Sequence, residues 1–182
     1  MPVHAFETSD AIAFDLLTLR DASIIDGFKL PRFAVGFPAL KAEFTRLSID
    51  RASGRVSRRA LSDVSFDFPQ VDWERAGTGE ASYVFGVSLW QESGALRSQI
   101  VRVSTAGEAT RVFRDDRYVL GEPVFVGAPG RQREGDGVLL SVGSGERGSA
   151  LFVLDATTLE ALAHAEFDTP LPFGFHGSFS PG

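Results

Sequence analysis

The stretch Ala150-Leu-Phe-Val-Leu-Asp-Ala-Thr-Thr-Leu-Glu-Ala161 decides the fold. Its first five residues form an apolar run of strand-forming type, Asp155 to Thr158 supply turn chemistry, and an apolar return follows. The same design recurs upstream in Phe44-Thr-Arg-Leu-Ser-Ile-Asp-Arg-Ala-Ser-Gly-Arg-Val56 and in Gln99-Ile-Val-Arg-Val-Ser-Thr-Ala-Gly-Glu-Ala109. Aligning the hairpins brings Ile49, Val103 and Leu154 into register at intervals of roughly 50 to 55 residues, the span of one four-stranded propeller blade. A longer apolar strand precedes each hairpin, so about three blades are expected.

Outward from these hairpins, apolar runs alternate with short Gly, Ser, Asp and Pro clusters, and no helical period is sustained over eleven residues. Strands are expected at residues 11–19, 44–49, 56–61, 81–90, 99–104, 109–113, 123–126, 137–142, 150–155 and 161–167. The class is all-β. Three blades cannot close a propeller and would leave two apolar faces open. Pro2-Val-His-Ala-Phe-Glu-Thr runs directly into a strand pattern, so the chain is expected to be the C-terminal part of a longer protein.

Composition excludes several classes. With 43% hydrophobic residues, 23% charged residues and 16 Phe among 182 residues, the chain has enough apolar surface to build a core. Its net charge of −6 and interspersed acids argue against nucleic acid as partner. The absence of cysteine removes disulfides, thiolate metal sites and thiol nucleophiles. No apolar run is long enough to span a membrane, and Glu7 and Asp10 stand where a secretion signal would be basic and then apolar. A cytoplasmic protein is expected.

Few residues carry chemistry. Of the three histidines, His176 lies in Pro172-Phe-Gly-Phe-His-Gly-Ser-Phe179, among aromatics and between close glycines, and reads either as a metal ligand or as a structural histidine. His164 alternates with apolar neighbours and reads as a solvent-facing strand residue. His4 stands near Glu7 with no partner motif. Glu122, in Gly121-Glu-Pro-Val-Phe-Val126, opens an apolar strand, either as an edge residue or as a carboxylate that orients an imidazole. Asp67, in Ser65-Phe-Asp-Phe-Pro-Gln-Val-Asp72, is either a turn residue before Pro69 or a second such carboxylate. Gly143-Ser-Gly-Glu-Arg-Gly148 joins two strands with no following helix or Lys, so it reads as a hairpin rather than a phosphate loop.

Taken in order, Glu122-Pro-Val-Phe-Val, Asp136-Gly-Val-Leu-Leu-Ser-Val, Leu151-Phe-Val-Leu-Asp-Ala-Thr-Thr-Leu-Glu, Ala165-Glu-Phe and Pro172-Phe-Gly-Phe-His-Gly closely resemble the end of the carotenoid cleavage oxygenases. Phe66-Asp-Phe-Pro-Gln-Val-Asp, Tyr83-Val-Phe-Gly and Val3-His-Ala-Phe-Glu agree, so the resemblance runs over residues 1–182. It implies a seven-bladed β-propeller, of which roughly the last three blades are present. It also implies an axial Fe(2+) held by four histidines, and cleavage of a conjugated double bond of a carotenoid or apocarotenoid with dioxygen. His176 maps onto the terminal ligand. Glu122 and, with Asp in place of the usual Glu, Asp67 map onto carboxylates that hydrogen-bond the ligands.

The third ligand's place falls on Met1, with His4 where the family has Asn, and two earlier ligands would precede residue 1. The chain alone is therefore expected to be inactive, with no acid, base or nucleophile of its own assigned. Its partners would be an apolar polyene and dioxygen, with several Phe lining an apolar tunnel and peripheral contact with a membrane. The rival reading is a non-catalytic propeller fragment or interaction module without a complete metal site.

Overall fold

A strand buried on both faces reads as a near-continuous apolar run, as Tyr83–Trp90 does. In the computed structural model, which describes the chain apart from residues 28, 30, 32–35, 37–40, 78, 173, 175, 181 and 182, three antiparallel sheets follow one another along the chain. The first has the order β1 (Pro2–Glu7), β2 (Ala11–Thr18), β3 (Glu43–Asp50), β4 (Val56–Ser62). The second comprises β5 (Asp67–Gln70), β6 (Tyr83–Glu92), β7 (Ala95–Ser104) and β8 (Arg111–Phe113). In the third, β10 (Val124–Gly127), β11 (Gly137–Gly145), β12 (Gly148–Asp155) and β13 (Ala161–Phe167) pair in sequence, and the two-residue β9 (Val119–Leu120) also lies against β11. Two short helices, α1 (Ser23–Gly27) and α2 (Trp73–Ala76), occur among the described residues.

Each repeat unit read from the sequence is one sheet, and Ile49, Val103 and Leu154 all fall in its third strand. The second sheet sits between the other two and uses alternate residues for each neighbour. Val84, Val101 and Val103 join Leu17, Phe44 and Phe66 in one core, while Phe85, Val87 and Ile100 join Leu139, Phe152 and Leu154 in the other. Burial of these side chains, at about 25 cal/mol per Å² of apolar surface, supplies the main driving force for stacking the sheets. The fourth strands β4 and β13 are largely exposed, and His164 lies on β13 facing solvent as expected.

Turns follow local chemistry. Ser93 and Gly94 both adopt positive φ (50° and 82°) between β6 and β7, the backbone of a tight two-residue hairpin. Glu146 and Arg147 join β11 to β12, so the glycine cluster there is a hairpin. Three strands were not expected from the sequence: β1, β5 and β9. All belong to the first strand position of their sheets, and all are short or irregular.

Two bidentate arginine–carboxylate pairs reinforce the stack. Arg46 Nε and Nη2 bind the two oxygens of the buried Asp15 at 2.6 and 2.8 Å across β2 and β3, and Arg46 also reaches Glu80 beside the second sheet. Arg131, from the β10–β11 connection, grips Asp72 through Nη2 at 2.8 Å and Nε at 3.3 Å.

Candidate functional site

The first strand of each sheet is irregular where a sequence-derived residue stands. β1 shifts register between Pro2 and His4, and β5 shifts between Asp67 and Gln70. In the third sheet the edge of β11 is shared end to end by β9 and β10, with Gly121, Glu122 and Pro123 in the gap. Pro123 has no N–H to offer a ladder, so the interruption is written in its ring. Irregularities of this kind re-aim side chains out of the alternating pattern. Here they present His4, Asp67 and Glu122.

The second-sheet bulge depends on a close approach. At Gly86, on β6, an added Cβ would strike the Phe66 ring and lie 2.8 Å from the Asp67 carbonyl oxygen. Glycine at this position lets β5 fold inward. Phe68 then adopts a positive φ of 51°, a left-handed conformation that a bulky residue enters only when its surroundings impose it.

Glu122 and His176 come together. Both Glu122 carboxylate oxygens lie near His176 Nδ1, at 3.5 Å for Oε1 and 3.4 Å for Oε2. These contacts are about half an ångström longer than a tight N–H···O bond. Each oxygen has a stronger donor: Gly177 N gives its proton to Oε2 at 2.8 Å, and Gln70 Nε2 donates to Oε1 at 3.0 Å. The Glu122 side chain is 8% exposed and that of His176 71%, so a nearly buried anion anchors an accessible imidazole. The Phe68 ring meets the imidazole edge to face with centroids 5.5 Å apart. A cavity of about 230 Å³ adjoins the pair, walled on its apolar side by Val124, Leu140, Leu151 and Phe179.

Asp67 is close enough for the charge of His176 to act on it. Burial pushes its carboxyl above the usual range; its bond from Phe68 N at 2.7 Å, the amino terminus and His176 all oppose that shift. His4 lies elsewhere. It is 4% exposed, packed between Phe6 and Trp73, with Nε2 3.3 Å from the Gly77 carbonyl oxygen and Nδ1 buried without a hydrogen-bond partner among the described residues. Phe44, Phe66, Phe85 and Phe152 are core, whereas Phe68 and Phe179 stand beside His176. Phe173 and Phe175 lie outside the described residues.

Sequence alone assigns no role to Gln70 or Phe68 and none beyond close backbone approach to Gly177, yet each touches the Glu122–His176 pair. Gln70 and Phe68 belong to the quoted stretch around Asp67, but an amide 52 residues from its partner leaves no trace in spacing. A larger groove of about 1010 Å³, lined by Arg97, Arg117, Tyr118 and Arg147 with Asp and Glu side chains interleaved, borders the Gly143–Gly148 hairpin and contains none of His4, Asp67, Glu122 and His176.

The fit to an iron ion can be judged on the donor set. Among the described residues no three His, Cys, Asp or Glu side chains converge as a metal site. Glu122 is occupied by Gly177 and Gln70, and His176 is the one imidazole brought to it. One imidazole does not hold iron tightly, because affinity comes from several ligands in fixed geometry. The residues of this chain alone do not fit the ion.

A family model described as retinal pigment epithelial membrane protein matches residues 2–181. The mitochondrial carotenoid-cleaving dioxygenase of Homo sapiens is 33% identical over 118 residues, covering 63% of this chain and 20% of that protein. The carotenoid isomerooxygenase of Galleria mellonella is 29% identical across 98% of this chain and 38% of its own length. A carotenoid cleavage oxygenase of Mycobacterium tuberculosis is 31% identical over 75% of this chain and 28% of that protein. Among solved structures, a mutant of the Synechocystis apocarotenoid oxygenase superposes with a TM-score of 0.82 at 23% identity, over 100% of this chain and 39% of that one. The cobalt-substituted form of the Synechocystis enzyme gives 0.79 at 25% identity, with the same coverage. The chain thus spans between 20% and 38% of the length of these curated relatives.

Proposed function

The chain belongs to the retinal pigment epithelial membrane protein family, the carotenoid cleavage oxygenases, and from that premise we propose that it carries one part of the site of a non-haem iron(II) dioxygenase. The substrate would be a carotenoid or apocarotenoid, cleaved at a conjugated double bond, and the frame a seven-bladed propeller to which the chain contributes its last blades. His176 supplies one iron ligand, and the remaining ligands come from residues beyond this sequence. The observation that carries this reading is the contact of Glu122 with His176 Nδ1, made at a break in the edge strand of the third sheet.

The roles of the residues follow from their contacts. Glu122 accepts a hydrogen bond from Nδ1–H and so fixes the tautomer that leaves the Nε2 lone pair for a metal. Asp67 stands, by the family resemblance, for a second ligand-orienting carboxylate, with a side chain one methylene shorter than the family's Glu. Val124, Leu140, Leu151 and Phe179 give the neighbouring cavity an apolar wall that suits a hydrocarbon chain. When bound, iron would activate dioxygen. A membrane-resident polyene implies peripheral contact with a bilayer; among the described residues no helix is long and apolar enough to cross one. A cytoplasmic setting completes the reading.

The second reading is a non-catalytic propeller module, and the specific observation for it is the donor count: no set of three metal-ligating side chains converges among the described residues. One experiment separates the two. The 182-residue chain and its His176→Ala variant are each incubated anaerobically with iron(II), alone and as replacements for the matching part of the Synechocystis apocarotenoid oxygenase. The oxygenase reading expects no iron above the control for the chain alone, with near-stoichiometric iron and apocarotenoid cleavage in the composite, both lost with His176→Ala. A folded composite that takes up iron equally with and without His176 would favour the module.

A further inference from the structure

Glu122 is steered by two neutral donors that differ in what they can accomplish. Gly177 follows His176 directly, so its bond ties the carboxylate to the same segment that has to be positioned. Gln70 belongs to another sheet. It is the last residue of β5, and its Nε2 donates to Glu122 Oε1 at 3.0 Å across the gap between the second and third sheets. The same short strand presents the Phe68 ring to the imidazole at 5.5 Å, and it is held in place by the close approach of Phe66 and Asp67 to Gly86. β5 therefore serves as the fixed frame of the site.

We propose that Gln70 is a positioning residue: by pinning Glu122 Oε1 from the second sheet, it fixes the carboxylate plane so that Glu122 selects the Nδ1-protonated tautomer of His176. The use of that tautomer, a free Nε2 lone pair for a metal, rests on the function proposed above; the geometry does not. An amide suits the task. A Lys or Arg at this position would form an ion pair with Glu122 and weaken its attraction for the imidazole N–H, whereas a neutral donor orients the carboxylate and leaves its charge. Without Gln70, Oε1 would turn to water, and the carboxylate would be tied through Gly177 N alone.

The test is nitrogen-15 NMR of the metal-free 182-residue chain labelled at histidine, at a pH where imidazoles are neutral. With three histidines the spectrum is assignable, and exposed His164 is an internal reference. The wild-type chain should show His176 protonated mainly on Nδ1. In Gln70→Met, which keeps length but removes the donor, His176 should shift to the Nε2-protonated form that free imidazoles favour, with His164 unchanged. Should Gln70→Met fail to fold, Gln70→Asn makes the same test with an amide one methylene too short to reach Glu122. A folded Gln70 variant whose His176 keeps the wild-type tautomer would overturn the proposal, as would a wild-type chain without the Nδ1 preference. Iron uptake by the composite tests the oxygenase reading separately, so either can fail while the other stands.

Discussion

Asp72 and Glu122 are two nearly buried carboxylates, at 1% and 8% side-chain exposure, each fixed by a backbone N–H from a distant loop and by a donor from another sheet. What differs is the cation. Asp72 meets Arg131, a guanidinium itself only 10% exposed, in a bidentate grip, and also takes Gly135 N and caps α2 through Arg75 N. All its acceptor capacity is spent within the protein, and it latches the second sheet to the third. Glu122 has two neutral donors and faces an imidazole that is 71% exposed. A carboxylate with a buried permanent cation builds structure; one with neutral donors and an accessible, titratable partner is available for chemistry.

The sharpest way to break this distinction is to remove each carboxylate and measure stability by denaturant unfolding. Asp72→Ala leaves the mostly buried Arg131 guanidinium with only the exposed Glu74 as its anion and deprives Gly135 N of its acceptor, and should cost about 2–3 kcal/mol. Glu122→Gln keeps the shape and one carbonyl acceptor and should cost about 1 kcal/mol or less. It should nevertheless abolish the tautomer preference of His176. Equal losses of stability would put Glu122 in the same structural class as Asp72.

A second test acts on the frame rather than the charge. Gly86→Ala drives a methyl group into the buried Phe66 ring and the Asp67 carbonyl, so it should cost about 1–3 kcal/mol. The part of that effect that matters is local: β5 should be displaced, and the His176 spectrum should change as it does in Gln70→Met. The Asp72–Arg131 latch lies outside the displaced contact, so protection of the Gly135 amide from hydrogen exchange should persist. Loss of both together would show that latch and site form one unit.

The sequence exposed the third strand of each sheet far better than the strands at the first edge. β3, β7 and β12 were legible because each is long, apolar and followed by turn residues, and their recurrence gave the three sheets. β1, β5 and β9 were not, because they are short, interrupted by Pro69 and Pro123 or by a shifted register, and carry the polar residues that blur alternation. The irregularities of β5 and of the break between β9 and β10 are the ones that create the site. For the same reason His176 and Glu122 could be singled out by their settings and by family resemblance, while Gln70 and Gly177 could not. A hydrogen bond between residues 52 apart has no local signature.

Asp67 sharpens the comparison with the smallest expected effect. Unlike Asp72 it meets no arginine among the described residues: burial raises its pKa above the ordinary 3.8, and its neighbours only partly offset that. The native state therefore holds the Asp67 proton more tightly than the unfolded chain does. The stability gained from this is complete below pH 3.8 and is lost as pH rises through the higher native value. Asp67→Asn, which cannot ionise, lacks this dependence. The difference in unfolding free energy, wild type minus Asp67→Asn, should therefore fall with rising pH across that window and level off above it. At neutral pH the asparagine variant should be the more stable of the two by a small margin. A difference that instead grows with pH would mean that Asp67 is held ionised by a cation, as Asp72 is. The second sheet would then contribute a charged anchor to the neighbourhood of His176, in place of the neutral frame formed by Gln70 and Phe68.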